Sequence, residues 1–172
     1  EKSVVLRLEG EVLVVEGKQS ETTINAIPHD EFPVIPKVEG TAQHLNGSLF
    51  ALGLRSAAFA ASQSSIKPEL GSVYIAQQRE HSLTFVATDS FRLMEKTVSQ
   101  KGVVLDEAIM VPVKNALEIA KVCELAGTDP ALVVTENQCA LQFGEGLYVT
   151  SRLTSGSFPD YNQIIPKEYE TT

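Results

Sequence analysis

The feature that most constrains the fold of this chain is one order of secondary-structure elements that occurs twice. Between about Ala42 and Leu153, the spacing of apolar residues predicts a strand, a helix and three strands, and then the same order again. A chain of this length can bury one sizeable core. We therefore expect an α+β fold, in which a duplicated strand-helix-three-strand unit packs two helices on antiparallel sheets.

Both predicted helices have recognisable ends. Asn46 is a suitable N-cap for the first helix, which an alanine-rich stretch predicts to extend to about Ser62, with Gly53 as a weak point. Pro112 fits the first position of the second helix, and Gly127 fits its end. The predicted buried stripe of the second helix consists of Val113, Ala116, Leu117, Ala120 and Cys123.

Alternating apolar residues predict the strands. Three antiparallel strands open the chain, around residues 4–8, 12–14 and 22–24, and the others are predicted at 72–77, 82–88, 92–98, 108–111, 132–135, 139–143 and 147–153. Cys123 and Cys139, the only cysteines, fall on a helix and a strand without CxxC spacing. We expect both to be buried apolar residues, and neither to bind a metal.

A second, longer repeat relates the opening strands to the closing strands at one constant offset. Leu6, Val15, Ile27, Phe32 and Pro33 correspond to Leu132, Leu141, Leu153, Phe158 and Pro159. Both copies continue to Ile-Pro-Lys, at residues 35–37 and 165–167. Because the offset is the length of an average domain, we expect residues 1 to about 40 to be the tail of a preceding, similar domain.

Composition excludes some classes of protein. No apolar run approaches the roughly eighteen residues that cross a bilayer, and the first residues do not resemble a leader, so we expect a soluble intracellular protein with no membrane partner. The formal charge of −8 argues against a protein that grips nucleic acid by clustered lysines and arginines. It does not exclude a protein that encloses DNA topologically.

The residues that catalysis would need do not form a pattern. His29, His44 and His81 lack metal-ligand spacing, and the sequence contains no nucleophile elbow, phosphate loop or HExxH helix. We therefore expect no catalytic residues, no metal and no cofactor. An enzyme with a site built from Asp89, Asp160 and His81 on loops stays open as an alternative, although Asx-turns explain the two aspartates more simply.

Four segments of the chain resemble, in order, the middle domain of the bacterial sliding clamp family, the beta subunit of DNA polymerase III. They are FPVIPK at 32–37, VATDSFRL at 86–93, VPVK at 111–114, and SRL at 151–153 followed by FPDYNQIIPK at 158–167. In that family the second segment typically reads VATDGHRLA and the last FPDYxxxIP. The resemblance spans nearly the whole chain, and ATDxxRL followed some seventy residues later by FPDY is a specific signal.

The resemblance implies a DNA clamp fold and a domain order. Residues 1–41 would be the C-terminal part of the first clamp domain, residues 42–167 the complete second domain, and residues 168–172 a linker to a third. The function it implies is that of a non-catalytic DNA polymerase processivity factor in the bacterial cytoplasm. Two full-length subunits would form a homodimer ring around double-stranded DNA without sequence preference. Its partners would be the polymerase III catalytic subunit, the clamp loader and repair polymerases.

The family binds short peptides of these partners in a hydrophobic pocket. Carried over by motif, the pocket residues are Leu70, Thr88, Ser90, Phe91, Arg92, Leu93, Pro159, Gln163 and Ile164. Ser90 and Phe91 stand where Gly and His are usual, and Gln163 where a basic residue is common, so we expect a more apolar and less cationic rim. The alternative is that Leu70, Leu93 and Ile164 only fill the core.

The family contacts DNA through the helices that line the ring. Lys114 matches a position that commonly approaches phosphate, and Lys67, Arg55 and Lys121 are candidates by placement alone. Such contacts would be independent of sequence and sensitive to salt. A stand-alone adaptor that binds peptides but never closes a ring is a further alternative, which the apparent half domain at the start of the chain disfavours.

Overall fold

The computed structural model describes residues 3–35, 37–64 and 66–165, and it divides into two compact units, Glu1–Lys37 and Val38–Thr172. The first unit is an antiparallel sheet of β1 (Val5–Glu9), β2 (Val12–Glu16) and β3 (Glu21–Asn25) in that order, followed by a short 3-10 turn at His29–Glu31. The three predicted opening strands are confirmed. Of the second Ile-Pro-Lys copy only Ile165 is described; Pro36 and the predicted linker at 168–172 also lie outside the described residues.

The second unit contains the duplicated order that the sequence predicts. Its elements are β4 (Gln43–His44), α1 (Gly47–Ala58), β5 (Ser72–Arg79), β6 (Ser82–Thr88), β7 (Leu93–Ser99), β8 (Ile109–Pro112), α2 (Val113–Ala126), β9 (Ala131–Val134), β10 (Gln138–Phe143), β11 (Leu147–Arg152) and a 3-10 turn at Tyr161–Gln163. The α+β fold class and the duplication are therefore confirmed.

The two halves of this unit exchange their first strands. One antiparallel sheet has the order β11-β10-β9-β4 and the other the order β7-β6-β5-β8. The strand before α1 thus pairs with the second half, with Gln43 opposite Leu132, and the strand before α2 pairs with the first half, with Val111 opposite Val73. Neither four-stranded sheet is complete without a strand from the other half.

The helices pack against each other and bury their apolar faces together with the inner faces of the sheets. Phe50 of α1 meets Phe85 of β6 edge to face, with ring centroids 5.4 Å apart. Gly53 weakens the helix intrinsically, but a side chain there would collide with the Phe85 ring. Close packing of α1 on β6 therefore explains a residue that helix propensity alone disfavours.

The helix ends differ slightly from the predicted ones. The Asn46 side chain accepts a hydrogen bond from the Leu49 backbone N–H, so the predicted N-cap is confirmed. The prediction that α1 reaches Ser62 is wrong, because Ala60 and Ala61 donate to carbonyls three residues back and the helix tightens and ends. Pro112 lies outside α2, since it still pairs with Ser72 in the sheet, whereas Gly127 ends α2 in the left-handed conformation as predicted.

Both cysteines are buried and unbonded to each other. Burial raises the pKa of the Cys123 thiol to about 11 and that of Cys139 to about 12. Such thiols stay protonated and unreactive at neutral pH, as expected of apolar core residues. Across the described ranges, no group of three or more metal-binding side chains occurs, and no helix is long and apolar enough to cross a membrane.

Candidate peptide-binding site

The turn between β6 and β7 is held by the side chain of Asp89. Its carboxylate accepts hydrogen bonds from the backbone N–H groups of Phe91 and Arg92, each at 3.0 Å, and from Arg92 Nε at 3.0 Å. The backbone hydrogen bond from Arg92, followed by that from Phe91, holds the pKa of Asp89 below its usual range. Asp89 therefore fulfils the Asx-turn role predicted for it and fixes the backbone of the two residues after Ser90.

Thr88 holds the same turn from its other side. The buried Thr88 hydroxyl donates to the Arg92 carbonyl at 2.7 Å and accepts from the Ser90 N–H at 3.1 Å. Ser90 is thereby held at a φ of 77°, in the left-handed region that glycine adopts without strain. The conformation explains why glycine is usual at this position in the family that the motif resembles.

A cavity of about 370 Å³ lies between this turn and the segment after the second 3-10 turn. Its lining residues are Thr88, Ser90, Phe91, Arg92, Leu93, Ile164 and Ile165. Phe91 is 98% exposed and Ile164 is also exposed, so neither is a core residue. The structure thus brings together the two distant segments that the resemblance assigned to one pocket. Ile165, which the prediction omitted, adds a second isoleucine to the wall.

Aromatic packing anchors the segment that carries Ile164. Phe158 stacks on Tyr74 of β5, with ring centroids 4.8 Å apart, and the buried Tyr161 ring meets both of them edge to face. The Tyr161 hydroxyl accepts a hydrogen bond from Gln78 Nε2 at 2.5 Å. Burial raises the pKa of this phenol to about 12, so it stays neutral. The FPDY motif therefore anchors its segment to β5 through Tyr74 and Gln78.

Three predicted pocket residues lie outside the lining of this cavity. Leu70 is buried, as the core-filling alternative expects. Pro159 is exposed, and Gln163 is exposed with its amide donating to Asp160 Oδ2 at 2.7 Å. The assignment of these three residues to the pocket stays a prediction.

The predicted basic residues lie on the two helices and on the loop after α1. Arg55 of α1 forms a two-pronged ion pair with Glu124 of α2, with nitrogen-oxygen distances of 2.5 and 2.6 Å. Lys114 and Lys121 are exposed on α2, and Lys67 is exposed on the loop. Lys114 also borders a separate cavity of about 390 Å³ at the start of α2. The charge of Arg55 is thus balanced by Glu124, and the assignment of all four basic residues to DNA stays a prediction.

The three residues of the alternative enzyme site lie on three different turns or loops of the second unit. His81 is exposed at the turn between β5 and β6, with Nε2 3.3 Å from a Glu80 carboxylate oxygen. Asp89 and Asp160 both accept hydrogen bonds from groups of their own loops. The geometry therefore provides no observation that favours the enzyme alternative.

Comparison with known proteins agrees with the resemblance. The family model for the central domain of the DNA polymerase III beta subunit matches residues 44–160. The beta sliding clamp of Synechococcus elongatus is 33% identical over 151 residues, which are 85% of this chain and 40% of that protein. The chain spans about two fifths of the length of the curated relatives it matches.

Solved structures show the same fold. The beta subunit from Thermotoga maritima superposes with a TM-score of 0.85 at 23% identity, over 97% of this chain and 45% of that one. The sliding clamp from Bacillus subtilis superposes with a TM-score of 0.79 at 25% identity, over 96% and 44%. Because the family model covers more than half of the sequence and the fold agrees, the chain belongs to the DNA polymerase III beta subunit family, the bacterial sliding clamps.

Proposed function

We propose that this chain is a segment of a DNA polymerase processivity factor and that it binds short linear peptides of its partners. The observation that supports the proposal is the cavity shared by the β6–β7 turn and Ile164–Ile165. The partners would be the polymerase III catalytic subunit, the clamp loader and repair polymerases, as in the family. The segment itself would be non-catalytic and would act in the bacterial cytoplasm.

The chemistry of the cavity suits apolar peptide anchors. Leu93, Ile164 and Ile165 provide an aliphatic wall, and Phe91 provides an exposed ring at the rim. Burying two apolar anchors of a peptide contributes roughly 3 to 6 kcal/mol before ordering costs. Micromolar binding, which suits partners that exchange on one site, needs about 8 kcal/mol. Polar contacts of the peptide with the turn and with Arg92 would therefore have to add to the two apolar anchors.

In the full-length protein we propose a homodimer ring around double-stranded DNA. The exposed Lys114 at the start of α2 would contact phosphate, with Lys67 and Lys121 as further candidates. The formal charge of −8 is compatible with topological enclosure, because a ring needs only a few weak phosphate contacts to slide.

We also propose that residues 1–41 belong to a preceding clamp domain and residues 42–167 to the second. At the constant offset of the long repeat, β1, β2 and β3 correspond to β9, β10 and β11. Leu6 is 62% exposed whereas its counterpart Leu132 is 1% exposed and packed in the core. The apolar face of the first sheet would therefore be covered by helices like α1 and α2 in the full-length protein.

Titration of a fluorescein-labelled, end-blocked peptide that carries one leucine and one phenylalanine anchor tests the proposed site. We expect micromolar binding to the chain, and loss of binding in Leu93→Asp, because a carboxylate would then stand in the apolar wall. Leu125→Asp is the matched control, since Leu125 is exposed on α2 away from the cavity lining. Unchanged affinity in a folded Leu93→Asp variant would show that the peptide binds elsewhere.

A further inference from the structure

Phe59, at the C-terminal end of α1, is a large aromatic residue that the core does not use. It is 68% exposed, although it follows directly on the buried Ala58 and precedes the buried Ala60. Its ring lies under the side chain of Arg92, whose Cζ is 4.6 Å from the ring centroid. This distance is typical of a cation–π contact.

The Arg92 side chain is therefore held at two points. Asp89 Oδ2 accepts from its Nε at 3.0 Å, and the Phe59 ring supports its guanidinium. Within residues 3–35, 37–64 and 66–165, the two terminal amino groups of Arg92 donate to no acceptor. Arg92 also lines the cavity beside Leu93. A fixed guanidinium with free donors at the edge of an apolar cavity suits an oxygen acceptor on a ligand.

We infer that Phe59 is a positioning residue of the peptide site, which holds the terminal amino groups of Arg92 ready to donate to an oxygen of the bound peptide. The inference rests on the proposed function of the cavity. Phe59 itself is absent from the cavity lining. Its effect on binding passes through Arg92: without the ring, only Asp89 restrains the guanidinium, and more side-chain freedom is lost when the peptide binds.

The test compares Phe59→Leu, which removes the aromatic ring, with Phe59→Tyr, which keeps it. With the same leucine and phenylalanine peptide, we expect Phe59→Leu to weaken binding by about two- to five-fold, the usual range for an exposed cation–π contact. Phe59→Tyr should bind as the unaltered chain does. A purely structural role would not separate the two variants in this way, and thermal melting verifies that both are folded.

A double-mutant cycle with Arg92→Ala completes the test. If Phe59 acts through Arg92, Phe59→Leu has no further effect on peptide affinity once Arg92 is alanine. Additive losses, or unchanged affinity in Phe59→Leu while Leu93→Asp still abolishes binding, would overturn the role of Phe59 and leave the proposed site intact. Failure of the unaltered chain to bind the peptide would overturn both.

Discussion

The β6–β7 and β10–β11 turns occupy corresponding places in the two halves, yet they are built differently. The second turn uses glycines: Gly144 has a φ of 53°, and the Gln142 amide donates to the carbonyls of Gly144 and Leu147. The first turn uses side chains, with Asp89 and Thr88 holding a backbone that contains a left-handed serine. The copy that is built by side chains is the one for which we propose a peptide-binding role.

The exposed groups differ in the same direction. The side-chain-built turn presents Phe91 almost fully to solvent and fixes Arg92 beside it. The glycine-built turn presents Glu145 between two glycines. None of its residues lines the cavity beside the β6–β7 turn. A turn made of glycines adopts a left-handed backbone without strain but could not present an aromatic ring and a guanidinium in fixed positions.

Among the variants that compare the two turns, the largest effect is expected of Asp89→Ala, which removes three hydrogen bonds from the β6–β7 turn at once. We expect a lower melting temperature and peptide binding weaker by about tenfold or more, because Phe91 and Arg92 lose their fixed backbone. Thermal melting and peptide titration measure the two effects. Glu145→Ala in the other turn is the control and should change neither; equal effects of the two variants would contradict the comparison.

An intermediate effect is expected when the glycine and serine at the left-handed positions of the two turns are exchanged. Gly144→Ser places a side chain at a φ of 53° and should lower the free energy of unfolding by about 1 kcal/mol. Ser90→Gly relieves the strain at a φ of 77° and should raise it by about 0.5 kcal/mol, since glycine also loses more chain entropy on folding. Denaturant titration gives both values, and destabilisation by Ser90→Gly would show that the strain at Ser90 is smaller than the entropy loss of glycine.

The smallest expected effect is a dependence on pH that comes from Asp89 alone. Its pKa is lowered in the folded chain from an ordinary value of 3.8, so its contribution to stability is fully present above that value. As the pH falls from about 4 through the lowered pKa, protonation removes the contribution. Melting temperatures of the unaltered chain and Asp89→Ala should therefore converge on acidification. A constant difference between them would mean that the charge of Asp89 has no role in the turn.

The periodic parts of the fold were predictable because burial alternates with the period of each element. The duplicated order and the cap at Asn46 follow from local patterns. The end of α1 did not, because Ser62 donates to the Leu70 carbonyl, a contact that depends on the chain turning back. The exchange of β4 and β8 likewise depends on which strands pair in three dimensions, and strand periodicity does not predict such pairing.

The site was predictable to the extent that its residues lie within the two motifs. Thr88, the residues 90–93 and Ile164 line one cavity, and the neighbouring Ile165 could have been found from the adjacent apolar pair. Phe59 could not, because its contact with Arg92 joins a helix end to a distant turn with no local signal. The ion pair of Arg55 with Glu124 could not be predicted for the same reason, since it joins two helices that are distant in the sequence.

The exchanged strands have a consequence for how this domain came about and how it folds. A lone half would leave the open edge of β5 or β9 unpaired, and two identical halves could close each other's edges as a swapped dimer does. The tandem chain is equivalent to such a dimer joined covalently. Loss of either first strand would then open the sheet of the opposite half, so both halves should gain and lose amide-exchange protection together.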